Sequence, residues 1–364
     1  MNATPDQTLL SRRFARDAGP AVRLGAVQHA IRTTVANKLS GDGYRMLSDS
    51  CACCGQSGTD VPVSSIDRYG LPLETVLCSR CGTLRANPYP DDDGLADFYT
   101  HHYQQMYARS DDRVAYFAKQ RGYGQRVLEA VKGWLPEGAF VFEAGCGAGG
   151  ALDVLREGGY QVSGCDYSQE LVDHGRTQGL SLHWGPPLAA LKSLPAPSLI
   201  YMHHVFEHVR DPLRQLEGLR DALAPGGKVL IIVPDVSRIS EFPFPAGDLR
   251  LFLHIAHRFN FSLAGFRMLA ARAGLEVESL EQRDANQSPE FWAVLTRRQG
   301  PESAPEDLNA GRAMLDYLRR TERRWRLHLT RGQLLVLRQR IRSKLKRILG
   351  RRDKPPVTTP TDAS

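Results

Sequence analysis

The stretch Phe140-Val141-Phe142-Glu143-Ala144-Gly145-Cys146-Gly147-Ala148-Gly149-Gly150 constrains this chain more than any other part of it. Phe140-Val141-Phe142 predicts a buried strand, and Leu152, Val154 and Leu155 predict the apolar side of a helix just beyond. The glycines between them allow positive φ and keep side chains out of the way of a ligand. The helix start behind them offers unpaired N–H groups. Further apolar strands are predicted at Gln161 to Cys165, Leu199 to Met202, Val229 to Val233 after Pro225-Gly226-Gly227, and Phe291 to Leu295. Alternation of such strands with helices implies an α/β fold, a doubly wound and mostly parallel sheet covered on both faces. A helix from Arg113 to Trp134, closed by Pro136 and Gly138, is expected in front of it.

The second strand runs into Asp166-Tyr167-Ser168, about twenty residues after the glycine turn, where an acid can accept hydrogen bonds from both hydroxyls of a ribose. Gly145, Gly147 and Gly150 match G-x-G-x-x-G and alone would also suit a dinucleotide. Glu143 argues against that. A carboxylate at the strand end repels a pyrophosphate, whereas the amino and sulfonium groups of S-adenosylmethionine are positive.

Five of the seven cysteines fall between residues 50 and 90. An odd number, in a chain whose first residues show no export signal, argues for metal binding and free thiols over disulfides, and for a cytoplasmic location. Cys51-x-x-Cys54 and Cys78-x-x-Cys81 suit a tetrahedral structural zinc ion, with Cys53 left as a spare. Thr75-Val76-Leu77 reads as a short strand leading into the second pair. Three imidazoles and a carboxylate crowd the end of the fourth strand, at His203, His204, Glu207 and His208. Histidine suits a base near neutral pH.

Together these motifs resemble the class I S-adenosylmethionine-dependent methyltransferases. The E-x-G-x-G turn, the acid after strand two, Val205-Phe206-Glu207-His208 after strand four and Pro225-Gly226-Gly227 before strand five follow that family's order over residues 139–296. The resemblance implies that Glu143, Gly145 and Gly147 hold the methionine part, that Asp166 holds the ribose and that Tyr167 lies against the adenine. Many relatives carry an acid for the adenine amino group after strand three. Here that place is His183-Trp184-Gly185-Pro186, so backbone groups or Trp184 are the expected substitutes.

With the cysteine pairs and the exit through Asn87-Pro88 into Phe98-Tyr99 and Tyr103, the resemblance widens to residues 51–296. It then points to a branch with an N-terminal zinc ribbon that includes sugar C-methyltransferases. This implies a linker tyrosine in the active site, Tyr103 first, with Tyr99 and Tyr107 behind it. It also implies a base at the Glu-His pair: His208 as general base, with Glu207 orienting it or holding a substrate hydroxyl. A comparable segment before Ala273-Gly274-Leu275-Glu276-Val277 implies that His257, and His254 after it, belong to the substrate wall. His203 and His204 are expected to line the cofactor pocket. Ubiquinone-pathway O-methyltransferases have a similar segment, acid-x-x-E-H, that ligates a divalent ion. His204 replaces the first acid here, which disfavours a hard Mg²⁺ site.

The formal net charge is +7, but residues 301–354 alone hold 16 Lys and Arg against 6 acids. The body is therefore close to neutral, and a nucleic-acid partner is not expected of it. Leu334, Leu337, Ile341, Leu345 and Ile348 recur at helical steps among Arg and Lys, which predicts a basic amphipathic helix for an anionic membrane surface or a partner. Disorder is expected from Pro355 onward. The expected organisation is a basic polar segment (1–49), a zinc ribbon with aromatic linker (50–112), a methyltransferase domain (113–298) and a linker, basic helix and tail (299–364). The expected reaction is methyl transfer to an oxygen or carbon of a small molecule, a sugar or glycoconjugate before others. An NAD-dependent oxidoreductase or epimerase and a zinc-ribbon nucleic-acid module are the alternatives.

Overall fold

The computed structural model describes residues 9–107, 112–285, 288–300, 307 and 309–349, with side chains described up to residue 330 except at Ala285. The expected disordered end lies outside the described residues, as do the side chains of the basic helix from residue 331 onward. The chain divides into Met1–Leu318 and Arg319–Ser364.

In chain order the elements are α1 (Ala26–Ser40), β1 (Met46–Leu47), β2 (Asp60–Ser64), β3 (Thr75–Cys78), β4 (Leu84–Ala86), β5 (Tyr89–Pro90), α2 (Asp92–His101), α3 (Tyr103–Tyr107) and α4 (Arg113–Val131). Then follow β6 (Phe140–Ala144), α5 (Gly150–Glu157), β7 (Gln161–Asp166), α6 (Gln169–Thr177), β8 (Ser181–Trp184), α7 (Pro187–Leu191), β9 (Leu199–His203), α8 (Pro212–Ala222) and β10 (Lys228–Pro234). The chain closes with β11 (Phe259–Asn260), α9 (Leu263–Arg272), β12 (Leu275–Ala285), β13 (Ser288–Arg297) and α10 (Ala310–Leu349).

Seven strands form the main sheet in the order β12-β13-β10-β9-β6-β7-β8. β13 pairs antiparallel with both its neighbours, and the pairs from β10 across to β8 are parallel. Side chains alternate between two apolar layers. Phe142, Ala144, Ile200, Met202, Val229 and Ile231 join the helices α7, α8 and α9, whereas Val141, Leu199, Tyr201, Leu230 and Ile232 join α4, α5 and α6. Both faces are thus buried, which is why these strands read as unbroken apolar runs. Ser168, Asp211 and Ser262 cap α6, α8 and α9 by accepting from a backbone N–H, and Pro212 opens α8. Such a cap contributes about 1 kcal/mol. β6 lies between β7 and β9, so the strand order reverses there and a crevice opens beyond the carboxyl ends of β6 and β9.

The segment of the cysteine pairs shares its sheet with a distant stretch of the chain. Its sheet runs β11-β4-β3-β2, so one of its four strands comes from residues 259–260. Cys51, Cys53, Cys78 and Cys81 share a core with Phe259, Phe261 and Phe266. Strands of two to five residues bury too little to stand alone, and the ribbon completes its core against the larger fold. The N-terminal segment is also packed. Ile31, Val35 and Leu39 on α1 pack with Tyr69, Leu71, Phe98 and Met106, while Val27 is exposed.

Candidate active site

β6 delivers Glu143 to the crevice and then turns. Gly145 and Gly147 take left-handed conformations at φ 81° and 54°. A β-carbon on Gly145 would stand 2.4 Å from Val205 Cγ2, and one on Gly147 would stand 2.6 Å from Gln120 Nε2. Gln120 on α4 pins the turn, donating to the Cys146 carbonyl at 2.8 Å and accepting from the Ala148 N–H at 3.1 Å. Sequence reasoning missed this residue, because nothing in a polar helix position signals a contact 26 residues away.

Asp166 accepts from the Gly147 N–H at 2.8 Å and from the Ser168 N–H at 2.8 Å, tying the end of β7 to the glycine turn. Burial raises its carboxyl, and the backbone bonds only partly offset this. Glu143 is buried, its Oε2 has no hydrogen-bond partner, and burial pushes its carboxyl up to about 8. A buried carboxyl without a partner is costly unless a positive group arrives to pair with it. Beyond Asp166, Tyr167 and Trp184 remain 71% and 62% exposed, with Trp184 Nε1 donating to the Tyr167 carbonyl at 3.0 Å. These rings flank the place expected for an adenine.

A second polar pole brings together residues far apart in sequence. His208 and His257 approach Glu207 Oε1 at 3.9 and 3.7 Å, and their rings lie 4.9 Å apart. His254 stacks close to His257 at 3.5 Å and shares a 2.8 Å hydrogen bond with the Tyr107 hydroxyl. Tyr107 stacks on Tyr103 at 4.6 Å, and Tyr103 lies 5.1 Å from Tyr99. Burial, with Asp166 and Glu207 among the charges nearby, pushes the Tyr103 phenol up to about 12. The Tyr103 hydroxyl therefore stays protonated at neutral pH.

Burial drives His208 down to about 3, so this imidazole is neutral at physiological pH. Glu207 is 1% exposed and both its carboxyl oxygens are sealed without partners. It stands behind His208 and His257. Burial raises its carboxyl to about 7.

His203 and His204, expected along the cofactor pocket, make their contacts with α4 and β13. The His203 ring lies 4.7 Å from Tyr123 on α4. His204 Nε2 lies 3.1 Å from Glu290 Oε2, and Glu290 also receives Trp292 Nε1 at 2.7 Å and the Arg126 guanidinium. That guanidinium makes the His203, His204 and Glu290 group a poor cation site. Sequence gave no sign of Glu290, 86 residues from its partner. The only hint is an acid opening an apolar strand.

On the ribbon, the sulfurs of Cys51, Cys54, Cys78 and Cys81 all lie within 4.8 Å of one another. Cys51 and Cys81 are 3.5 Å apart, as are Cys54 and Cys78. A tetrahedron of Zn–S bonds of about 2.3 Å has edges of about 3.8 Å, so the four thiols fit that ion. Each pair is followed by a glycine in the left-handed region, Gly55 at φ 74° and Gly82 at φ 77°. Their N–H groups donate to the carbonyls of Cys51 and Cys78. Cys53 lies outside the set and receives Thr83 Oγ1.

Residues 99–280, half of the chain, match the family described as methyltransferase domain. The chain is 25% identical over 225 residues to the C-methyltransferase NovU of Streptomyces niveus, covering 59% of this chain and 49% of that protein. It is 30% identical over 147 residues to a probable S-adenosylmethionine-dependent methyltransferase of Mycolicibacterium smegmatis, covering 39% and 53%. It is 29% identical over 99 residues to a ubiquinone biosynthesis O-methyltransferase of Coxiella burnetii, covering 26% and 42%. The chain spans about half the length of these relatives.

Proposed function

The chain belongs to the methyltransferase domain family, and on that premise we propose that it transfers a methyl group from S-adenosylmethionine to an oxygen or carbon of a small molecule, a sugar or glycoconjugate before others. The observation that carries this reading is the buried Glu143 carboxyl, unpartnered at Oε2, beside a left-handed glycine turn that Val205 and Gln120 pack too closely for any β-carbon. Glu143, Gly145 and Gly147 would hold the amino acid part of the cofactor, Asp166 the ribose, and Tyr167 with Trp184 the adenine. The cofactor, when bound, supplies a methyl group already activated on a positive sulfur. The chain's own work is to align the acceptor, exclude water and remove a proton. Tyr103, His208 and His257 would wall the acceptor side, with Glu207 buried behind the two imidazoles. Tyrosine rings and neutral imidazoles offer stacking faces and hydrogen-bond groups that suit a polyhydroxylated ring.

Cys51, Cys54, Cys78 and Cys81 would hold a structural zinc ion, because four thiolates leave no open position for a reacting group. No described helix is long and apolar enough to cross a membrane. The basic stretch beyond Gly300 supports surface contact with anionic lipid, read from its sequence. Full-length chain should sediment with anionic vesicles and a chain ending at Gly300 should not.

Calorimetry with S-adenosylhomocysteine, followed by a radiolabelled methyl screen over nucleotide sugars and lipid-linked glycans, tests the reading. Micromolar binding and label in one acceptor class are expected. Tight NAD(H) binding without S-adenosylhomocysteine binding would overturn it in favour of an oxidoreductase. Salt-dependent nucleic-acid binding without methyl transfer would favour a binding module.

A further inference from the structure

At the end of β9 stands a charged arrangement that the acceptor wall above does not use. His204 is the one non-glycine described residue with a positive φ, 53°. That conformation is unfavourable for a residue with a β-carbon and persists where surroundings impose it, often at active sites. Here it brings the imidazole to Glu290 on β13, with Nε2 3.1 Å from Oε2. Glu290 is buried and itself held by Trp292 Nε1 and the Arg126 guanidinium. Burial works against its charge, but the bonds from His204, Trp292 and Arg126 prevail and hold its carboxyl at about 2. With Nε2–H donated to that carboxylate, the ring's lone pair resides on Nδ1. No hydrogen bond occupies His204 Nδ1 among the described residues. The His204 side chain is 39% exposed, against 24% for His208 and 1% for Glu207.

We infer that His204, oriented by Glu290, takes the acceptor's proton during methyl transfer, while His208 and His257 hold the acceptor. The inference rests on the methyl-transfer reading above. The acceptor oxygen or carbon bonds to the methyl carbon as the carbon–sulfur bond breaks, with that electron pair remaining on sulfur. The acceptor's proton passes to His204 Nδ1, and the imidazolium is stabilised by the Glu290 carboxylate, the division of labour of a histidine–acid pair. The groups facing His204 are His203 beside it, Glu207 and His208 after it, His257 ahead of β11, Arg126 on α4 and Glu290 on β13. Burial opposes a proton on His204, but the bond to Glu290 and the Glu207 carboxyl outweigh it and raise its proton affinity above the ordinary value. Its immediate rival, His208, is driven the other way.

The test uses the full chain and its His204→Asn and Glu290→Gln variants, assayed with labelled S-adenosylmethionine against the nucleotide-sugar and glycan panel. Melting temperature and S-adenosylhomocysteine affinity check the fold. In the wild type, kcat/KM should rise about tenfold per pH unit below the His204 pKa and then level off. His204→Asn should lower kcat/KM by roughly 10²–10⁴-fold with cofactor affinity unchanged, abolish that limb and recover in part with added imidazole. Glu290 is a positioning residue, so Glu290→Gln should move the limb to lower pH with a smaller loss of rate. A histidine NMR titration reads the pair without any acceptor: the His204 signal should titrate above the ordinary imidazole value and fall in Glu290→Gln. Wild-type turnover and pH limb in His204→Asn, or a His204 titration indifferent to Glu290→Gln, overturns the inference and leaves methyl transfer standing. A wild-type chain that labels nothing in the panel sinks both.

Discussion

Glu143 shows how much a single residue can declare in advance and what it withholds. Its place next to Gly145 and Gly147 made a positive ligand the natural expectation, because strand, acid and turn are contiguous in sequence. Its depth is a tertiary property. Burial lifts its carboxyl from about 4.5 in the unfolded chain to about 8 in the fold. A raised acid contributes stability that is complete below the unfolded value and lost as pH climbs through the folded one. Melting temperatures of the wild type should therefore fall relative to those of Glu143→Gln as pH rises from about 4.5 to about 8. Saturating S-adenosylhomocysteine, whose amino group is positive, should flatten that difference and release protons on binding. A constant gap between the two proteins across this range would mean that Glu143 is not desolvated. His204 makes the contrasting case. Its partner Glu290 lies on a strand that reaches it only through the order β13-β10-β9, so no local pattern could announce the pair.

Elements were legible where a residue's neighbours in sequence fix its surroundings. The strands β6, β9 and β10 follow from largely apolar runs, and the end of helix α4 from the breakers Pro136 and Gly138 just beyond it. The cysteine knuckles follow from spacing, and the left-handed Gly55 and Gly82 behind them complete each loop. The two-residue β11 was not legible, since Phe259-Asn260 carries no strand pattern and exists only because β4 offers it an edge. That pairing couples the ribbon to the histidine wall, as Ala86 N–H also donates to the Arg258 carbonyl, next to His257, at 2.9 Å. A structural zinc ion supplies about 10–16 kcal/mol in small zinc domains, so if the four thiols hold one as proposed, its removal should be felt through β4 and β11. A strong chelator, or Cys78→Ser, should lower the melting temperature and the rate of methyl transfer while changing S-adenosylhomocysteine affinity by no more than a few fold. Equal loss of cofactor affinity would show that the ribbon supports the whole sheet and not the acceptor side.

Across the whole of Met1–Leu318 the site has two halves of different origin. The half proposed for the cofactor comes from β6, β7 and β8 and their turns. The half proposed for the acceptor is assembled from α2, α3, the segment after β9 and residues 254–257. Asp67 anchors the last of these: buried, it accepts from the N–H groups of Tyr69 and Leu71 at 2.8 and 2.9 Å and from Ile255 at 3.2 Å. Asp67→Ala leaves three buried donors unpaired, each costing about 1–3 kcal/mol. It should slow methyl transfer by letting the segment of His254 and His257 drift, with cofactor affinity preserved; unchanged turnover in a folded variant would remove Asp67 from that role. By itself the sequence determined the doubly wound sheet, the cofactor turn and the four thiols, because each depends on residues within a few positions of one another or on one periodic pattern. The tertiary structure alone decided that the sheet of the cysteine segment takes a strand from Phe259–Asn260, that Glu207 is buried, and that His204 and not His208 has a carboxylate at hydrogen-bonding distance. Those outcomes depend on burial and on pairs separated by tens to hundreds of residues, which only the folded chain brings within reach.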